Sequence, residues 1–323
     1  MTRTPDTAGV LATAAGIGLC GAIAEFVVAR HYLQLEWVIG PPVPLVWWAA
    51  AGVGGVLGAP LLLVYLGRRA TRLVELPWGR LVLTWVVPCL AAHLVWLAVT
   101  LVLLRRFDPG LLGVPVRDTG ELLSILVLPP PLLSLLYVLA LVPVLVKLAQ
   151  RIPATAVVGV LAAATLLADT AVFAVFLAVG LLLTREIDRV VETASRRNLV
   201  LRGAVAVVGA AVLGVDRFPA GLATVVAGLA ALPFGLTLAA MARGRLLAAM
   251  GAAAVPGYLL LVPVMAPADK VLLPRLSVQG SAVQLMVAAV EPAVLTAGIV
   301  AGGVVLVAVG RRVRARIPAG AVR

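Results

Sequence analysis

The chain has 323 residues, of which 63% are hydrophobic and only 12% are charged, and its mean hydropathy is +1.13. A soluble domain carries about twice that share of charged residues to cover its surface, so a soluble fold is excluded. The net charge is +12, but it comes from short arginine clusters at the ends of apolar runs, without a basic face or interleaved aromatic residues. This pattern argues against a nucleic-acid partner and predicts an all-α, polytopic transmembrane helical bundle whose partner is the lipid bilayer.

Metal, cofactor and enzyme motifs are not found in the sequence. The two cysteines, Cys20 and Cys89, both lie inside apolar runs, which argues against a disulfide framework, a cysteine-type zinc site and an iron–sulfur cluster. The sequence has no phosphate-binding loop, no H-E-x-x-H motif and no G-x-S-x-G motif. We therefore expect no metal and no cofactor, and the sequence assigns no catalytic residue.

The predicted elements follow from the length of the apolar runs, because a helix needs about 20 apolar residues to cross the hydrocarbon core. In chain order, such runs cover 8–30, 43–67, 81–104, 199–215, 222–241, 247–266 and 282–309. A further apolar block covers 121–184 and is interrupted by three prolines at 129–131 and by the polar segment 147–153. This block has room for two or three passes.

The distribution of the 26 basic residues decides between these two counts. If 154–184 forms a helical hairpin, with arms of only about 23 Å, most of the basic residues lie on one side of the membrane. The positive-inside rule then predicts ten helices, with nine as the fallback, and places both termini in the cytoplasm. Residues 1–323 are thus expected to form a single integral membrane domain. Arginine far outnumbers lysine, which is typical of GC-rich bacteria and indicates a bacterial inner (cytoplasmic) membrane.

The longest polar segment, 185–198, has the periodicity of a helix. Four apolar residues share one of its faces: Ile187, Val190, Val191 and Ala194. This pattern predicts a cytoplasmic amphipathic connector between an N-terminal and a C-terminal group of helices. Two interpretations of this segment stay open. We favour a linker that lies on the membrane surface; the alternative is a helix that binds protein subunits.

Three acidic residues lie inside apolar runs: Glu25, Asp169 and Glu291. An ionisable side chain there costs roughly 2.5–3.5 kcal/mol to insert, so each is a functional candidate. Glu291 is the strongest because Pro292 follows it and predicts a helix break, whose free carbonyl groups beside a carboxylate suit proton or cation binding. The alternative is a neutral carboxylic acid that bonds to Gln284 or Thr296.

The meaning of the other candidates depends on where they lie in the bundle. At the tip of a hairpin, Asp169 and Thr170 would form a polar turn and cap the second arm, whereas in a single pass Asp169 would lie near mid-membrane. Glu25 lies near the outer end of its run, close to Arg30 and His31, which favours an ion pair at the interface. His93 is expected to be a hydrogen-bonded core residue.

Small residues predict close packing between helices. Gly54 with Gly58, and Gly298 with Gly302, form G-x-x-x-G pairs of the kind that let two helix backbones approach each other. These pairs predict a compact bundle and do not establish a dimer.

Several segments are similar to the quinone-proximal membrane subunit of complex I-like hydrogenases. They are 58–62 (GAPLL), 120–123 (GELL), a later acid at Asp169, and 216–219 (DRFP). The long basic loop and the acidic, tyrosine-containing loop of that family are missing. The resemblance implies a subunit role in a redox complex and assigns no role to individual residues.

Helix count, prolines inside the runs and scarce intramembrane acids favour an integral membrane transporter or permease for a small solute or ion. Coupling to protons or cations would pass through Glu291, Asp169 or Glu25. The alternative is a non-catalytic membrane subunit of a multi-protein complex, such as a redox complex, an envelope-synthesis machine or an ABC permease. A lipid- or polyprenyl-processing enzyme ranks third, because no acid, base and nucleophile can be grouped.

Overall fold

The computed structural model describes residues 6–29, 43–107, 125–127, 129–215, 218–242, 244–276 and 281–316. The first half of the chain forms α1 (Thr7–Val27), α2 (Val43–Glu75), α3 (Trp78–Leu81), a π-helical turn (Val82–Val86), α4 (Val87–Phe107), α5 (Leu135–Leu148) and α6 (Ala154–Ala164). The second half forms α7 (Ala171–Leu182), α8 (Thr184–Glu192), α9 (Arg196–Ala211), α10 (Ala220–Met241), α11 (Arg245–Ala252), α12 (Ala254–Leu276) and α13 (Ser281–Arg316).

Within these residues, six helical segments are long and apolar enough to cross a membrane. They are Thr7–Val27, Leu45–Glu75, Trp78–Leu104, Arg196–Gly214, Ala220–Met241 and Ala289–Arg312. A seventh results if α11 and α12, whose axes are bent by 69°, are counted as one broken span. The described chain is all-helical, and its apolar helices fit a multi-pass membrane protein.

The predicted count of about ten spans, and the fallback of nine, are not supported. Within the 121–184 block, α5, α6 and α7 have 14, 11 and 12 residues, or about 21, 17 and 18 Å. Each is shorter than the hydrocarbon core of about 30 Å, because prolines and turns divide the apolar block into short helices. Residues 1–5 and 317–323 lie outside the described residues, so the cytoplasmic placement of the termini stays a prediction.

The segment 154–184 returns to the end of the bundle from which it leaves. Before it, the Lys147 ammonium donates a hydrogen bond of 2.7 Å to the carbonyl oxygen of Val74. After it, Arg68 binds Asp188 with a nitrogen–oxygen distance of 2.9 Å. Both contacts lie on the C-terminal part of α2, so α6 and α7 are the arms of a hairpin. The hairpin predicted from the charge distribution is present, although neither arm is long enough to span the membrane.

α1 lies at the centre of the bundle because its small residues let neighbouring backbones come close. A Cβ atom added to Gly16 would overlap the carbonyl oxygen of Leu247 in α11, and one added to Gly18 would lie 2.7 Å from the carbonyl oxygen of Gly58 in α2. The helix is therefore clamped between α2 and α11. It also packs against α10, α12 and α13.

The two G-x-x-x-G pairs differ in their contacts. Gly54 lies against α1, where an added Cβ would overlap the carbonyl oxygen of Gly21. A Cβ added to Gly298 would meet none of the described atoms within 4 Å. No neighbouring backbone therefore comes close to α13 at this glycine. The close approach occurs instead at Gly303, where an added Cβ would lie 2.7 Å from the Cα of Gly257 in α12.

The helix break predicted at Pro292 is not present. α13 runs through this residue and has 36 residues in all. A proline inside a helix removes one hydrogen bond, and the turns on either side can continue the helix. The sharp bend of the C-terminal region is at Ala253, between α11 and α12.

The connector 185–198 contains a helix that packs against the bundle. In α8, Ile187 and Val191 are only 3% and 1% exposed, and the helix contacts α10. Arg202 of α9 binds the C-terminal end of α8 by donating a 2.9 Å hydrogen bond to the carbonyl oxygen of Val190. The predicted amphipathic helix is present, and its apolar face is covered by the chain itself. Binding of protein subunits stays a prediction, which would use the polar face.

Candidate functional site

Glu25 lies where α1 crosses α2. Its Oε1 atom is 2.8 Å from the position that a Cβ on Gly55 would occupy. The half-buried carboxyl group therefore rests on the bare backbone of α2. Directly beside it, Gly21 and Gly54 bring the two backbones together. A larger residue at position 55 would displace the carboxyl group.

The position of Gly55 along α2 shows how deep Glu25 lies. Gly55 follows Trp48 by about 10 Å and precedes Arg68 by about 20 Å, counted at the helical rise. Tryptophan is enriched at membrane interfaces and arginine marks the end of the apolar run. Glu25 thus lies beside the apolar run of α2, between its tryptophan and its first arginine. The ion pair predicted with Arg30 and His31 involves residues outside the described part of the chain.

Tyr258 of α12 is the polar neighbour of Glu25. This tyrosine is 6% exposed and interacts electrostatically with the Glu25 carboxyl group. Its ring packs edge-on against Phe173 of α7, with a centroid distance of 6.2 Å and an interplanar angle of 69°. Glu25 thus has the backbone of α2 on one side and the Tyr258–Phe173 ring pair in its electrostatic surroundings. Carboxyl and hydroxyl oxygens of this kind can contribute to binding a small cation.

Glu291 is a second buried acid, on α13. It is 9% exposed, and Pro292 beside it is also buried. The hydroxyl group of Thr296 has no hydrogen-bond partner among the residues that the structure describes, so the predicted bond to Glu291 is not formed. The side chain of Gln284 lies outside the described residues. Pro292 and Thr296 line an apolar groove of about 620 Å³ between α1, α11 and α13.

Asp169 lies in the exposed turn that joins α6 to α7. Its Oδ1 atom is 3.5 Å from the position of a Cβ on Gly221, in the first turn of α10, where a negative charge is favourable. The predicted polar turn is confirmed. The predicted cap is not formed, because α7 has no side-chain cap and Thr170 donates its hydroxyl to the carbonyl oxygen of Pro129 at 2.7 Å.

His93 of α4 is buried, with 2% of its surface exposed. Its ring centroid lies 5.8 Å from that of Tyr137 in α5. The burial agrees with a core residue, but neither ring nitrogen has a hydrogen-bond partner within the described ranges. In those ranges, no group of three or more His, Cys, Asp or Glu side chains is placed to hold a metal ion.

Fold and site together define a class, a helical bundle with apolar helices long enough to cross a membrane and with acids buried between them. No protein-family model, no curated protein and no solved structure matches this chain. The buried acids and the short helices around them are therefore the basis of the proposed function.

Proposed function

We propose that this chain is an integral membrane transporter or permease for a small solute or ion, in which Glu25 binds the coupling proton or cation. The observation that carries the proposal is the carboxyl group placed on Gly55 between packed helices, with buried Tyr258 as its neighbour. Acids inside the apolar layer are expensive, face the interior of a bundle and mark ion pathways in membrane proteins. The place of Glu25 between α1 and α2, beside the apolar run of α2, supports this role.

The broken helices around Glu25 support transport. α7 is buried over Val172–Leu181, yet it is too short to cross the membrane. Its first turn carries Phe173, which packs on Tyr258, so this short helix is linked to the acid through the ring pair. Discontinuous helices whose ends meet near an ion site are typical of secondary transporters.

Glu291 is the second acid of the proposal, because it is buried in α13 beside a proline. Asp169, which the sequence places with it, is a weaker candidate because it lies on an exposed turn. We further propose that the end of the bundle that carries Arg68, Lys147 and Arg202 faces the cytoplasm of a bacterial cell.

Replacing Glu25 with glutamine is expected to abolish ion movement. Glutamine keeps the shape of the side chain but neither releases a proton nor neutralises a cation. The purified chain is reconstituted in liposomes that contain pyranine or a sodium-sensitive dye, and proton and sodium gradients are imposed in turn. We expect wild-type protein to dissipate at least one gradient and Glu25→Gln to do so at least tenfold more slowly.

The matched control is Asp169→Asn, which removes one carboxylate from an exposed turn and is expected to keep most of the wild-type rate. Glu291→Gln is expected to lose the pH dependence of the flux. An unchanged flux in Glu25→Gln would remove this residue from the mechanism. If wild-type protein moves neither ion faster than protein-free liposomes, the proton- or sodium-coupled transporter is refuted.

A methyl group at position 55 is expected to reduce the same flux several-fold while the protein stays folded. In Gly55→Ala, the added Cβ would lie 2.8 Å from the Glu25 Oε1 atom, so the carboxyl group must move. Only the end of a flexible side chain is displaced, so the helix crossing survives. Gly52→Ala is the control, because a Cβ there meets no described atom within 4 Å. Equal flux in the two variants would show that the position of the carboxyl group is unimportant.

A further inference from the structure

A cleft of about 760 Å³ opens at the end of the bundle where the apolar parts of α1 and α2 stop. One wall is the beginning of α1, from Thr7 to Ala12. The other wall is the last three turns of α2, from Tyr65 to Glu75. Three arginines of α2 line this wall: Arg68, Arg69 and Arg72.

The three arginines differ in the contacts that their guanidinium groups make with the rest of the protein. Arg68 is paired with Asp188 of α8 at 2.9 Å, which neutralises its charge. Arg69 donates a 3.1 Å hydrogen bond to the hydroxyl of Tyr65 and lies 5.7 Å from the centre of its ring. Both contacts leave its charge uncompensated.

Arg72 is exposed, and the acid that lines the same cleft is Glu75. Arg69 and Arg72 together therefore give the cleft a surplus of positive charge.

The height of the cleft in the bundle indicates its ligand. The described apolar helix of α1 begins at Thr7, and the apolar run of α2 ends at Gly67, just before the first arginine. Both helices thus leave the apolar layer at the level of the cleft, which is where phospholipid headgroups lie. Its inner wall is apolar at Leu11 and Ala12. Basic pockets between helices at this level bind anionic headgroups.

We propose that this cleft binds the phosphate group of an anionic phospholipid. Arg69 and Arg72 hold the phosphate at the level of the headgroups. Arginine suits this ligand because its planar group donates two parallel hydrogen bonds to phosphate oxygens. The proposal is independent of the transport function, since none of these residues takes part in the Glu25 site.

The test is a titration of the delipidated full-length chain, followed by native mass spectrometry. The added ligands are phosphatidylglycerol, phosphatidylcholine and inorganic phosphate. We expect one phosphatidylglycerol to bind each chain with saturation, and Arg69→Gln/Arg72→Gln to weaken its binding at least tenfold. Arg196→Gln/Arg197→Gln removes the same charge from two exposed residues of α9 and is expected to change the affinity less than twofold.

Three results would overturn the proposal. Equal weakening in the two double variants would show that phosphatidylglycerol responds to overall charge. Equal affinity for phosphatidylcholine, which has no net charge, would show that the arginines do not select the lipid. Displacement of phosphatidylglycerol by an equal concentration of inorganic phosphate would assign the cleft to free phosphate.

A single variant keeps the test valid if the double variant fails to fold. Arg72 is exposed on α2, so Arg72→Gln is expected to elute as folded protein in size-exclusion chromatography. One basic residue near the membrane surface contributes enough to change lipid affinity about fivefold. A folded Arg72→Gln protein with wild-type affinity for phosphatidylglycerol would also overturn the proposal.

Discussion

Replacing Gly58 with valine is expected to destabilise the protein by about 3 kcal/mol or more, the upper part of the range for overpacking. A Cβ at this position would lie 2.5 Å from the amide nitrogen of Ala22 and 2.8 Å from its Cα. Both atoms belong to the backbone of α1, so no side chain can rotate away. α1 and α2 would have to move apart, and this movement would break the glycine contacts on both sides of the crossing.

Gly52→Val is the matched control for this prediction. It lies on the same helix and makes the same change in helix propensity, but a Cβ there meets no described atom within 4 Å. Thermal unfolding of the detergent-purified variants, followed by loss of the monodisperse peak, gives the comparison. A Gly58→Val protein as stable as Gly52→Val would mean that α1 and α2 do not pack through these glycines.

Truncating Phe176 to alanine is expected to destabilise the protein by about 3 kcal/mol. The Phe176 side chain is fully buried in α7, and its ring lies against Gly228 of α10, close to Pro60 of α2. Removing the ring leaves a cavity between three helices. The expected loss is at the lower end of the range for soluble proteins, because lipid rather than water is the alternative environment and packing carries most of the energy.

Leu167→Ala is the control for the cavity, because Leu167 is 91% exposed in the turn before α7. Its truncation is expected to change the unfolding temperature little. Phe176→Ala should lower that temperature clearly, and a small apolar ligand that fills the cavity should restore part of the loss. Similar stabilities for the two variants would contradict the buried position of α7.

The sequence predicts the class of fold because long apolar runs have one stable outcome in lipid, a helix with internally satisfied backbone groups. It predicts the hairpin at 154–184 for a different reason, since the side of each arginine cluster constrains the path between them. It overestimates the number of spans because hydropathy does not show where α5, α6 and α7 stop. The bend at Ala253 does have a signal, because Pro256 cannot donate a helical hydrogen bond to the carbonyl group of Ala252.

Only part of the candidate site can be predicted from the sequence. The sequence identifies Glu25 and Glu291 as intramembrane acids but ranks them from neighbouring residues, which favours Glu291 beside its proline. A signal for Glu25 is present in α1, where Gly18, Gly21 and Glu25 recur at helical spacing and share the face that packs on α2. Tyr258 leaves no such signal. Its place beside Glu25 depends on how α12 packs against α1, and helices that are apolar on all sides carry no stripe to reveal it.

The central position of α1 has a consequence for biosynthesis. This helix is made before α10, α11, α12 and α13, yet it packs against all four of them as well as against α2. α1 ends at Val27, whereas α10 begins only at Ala220. The glycine face of α1 toward α11 therefore stays uncovered until α11 has been made. The surroundings of Glu25 are complete only after α12, which carries Tyr258, has joined the bundle.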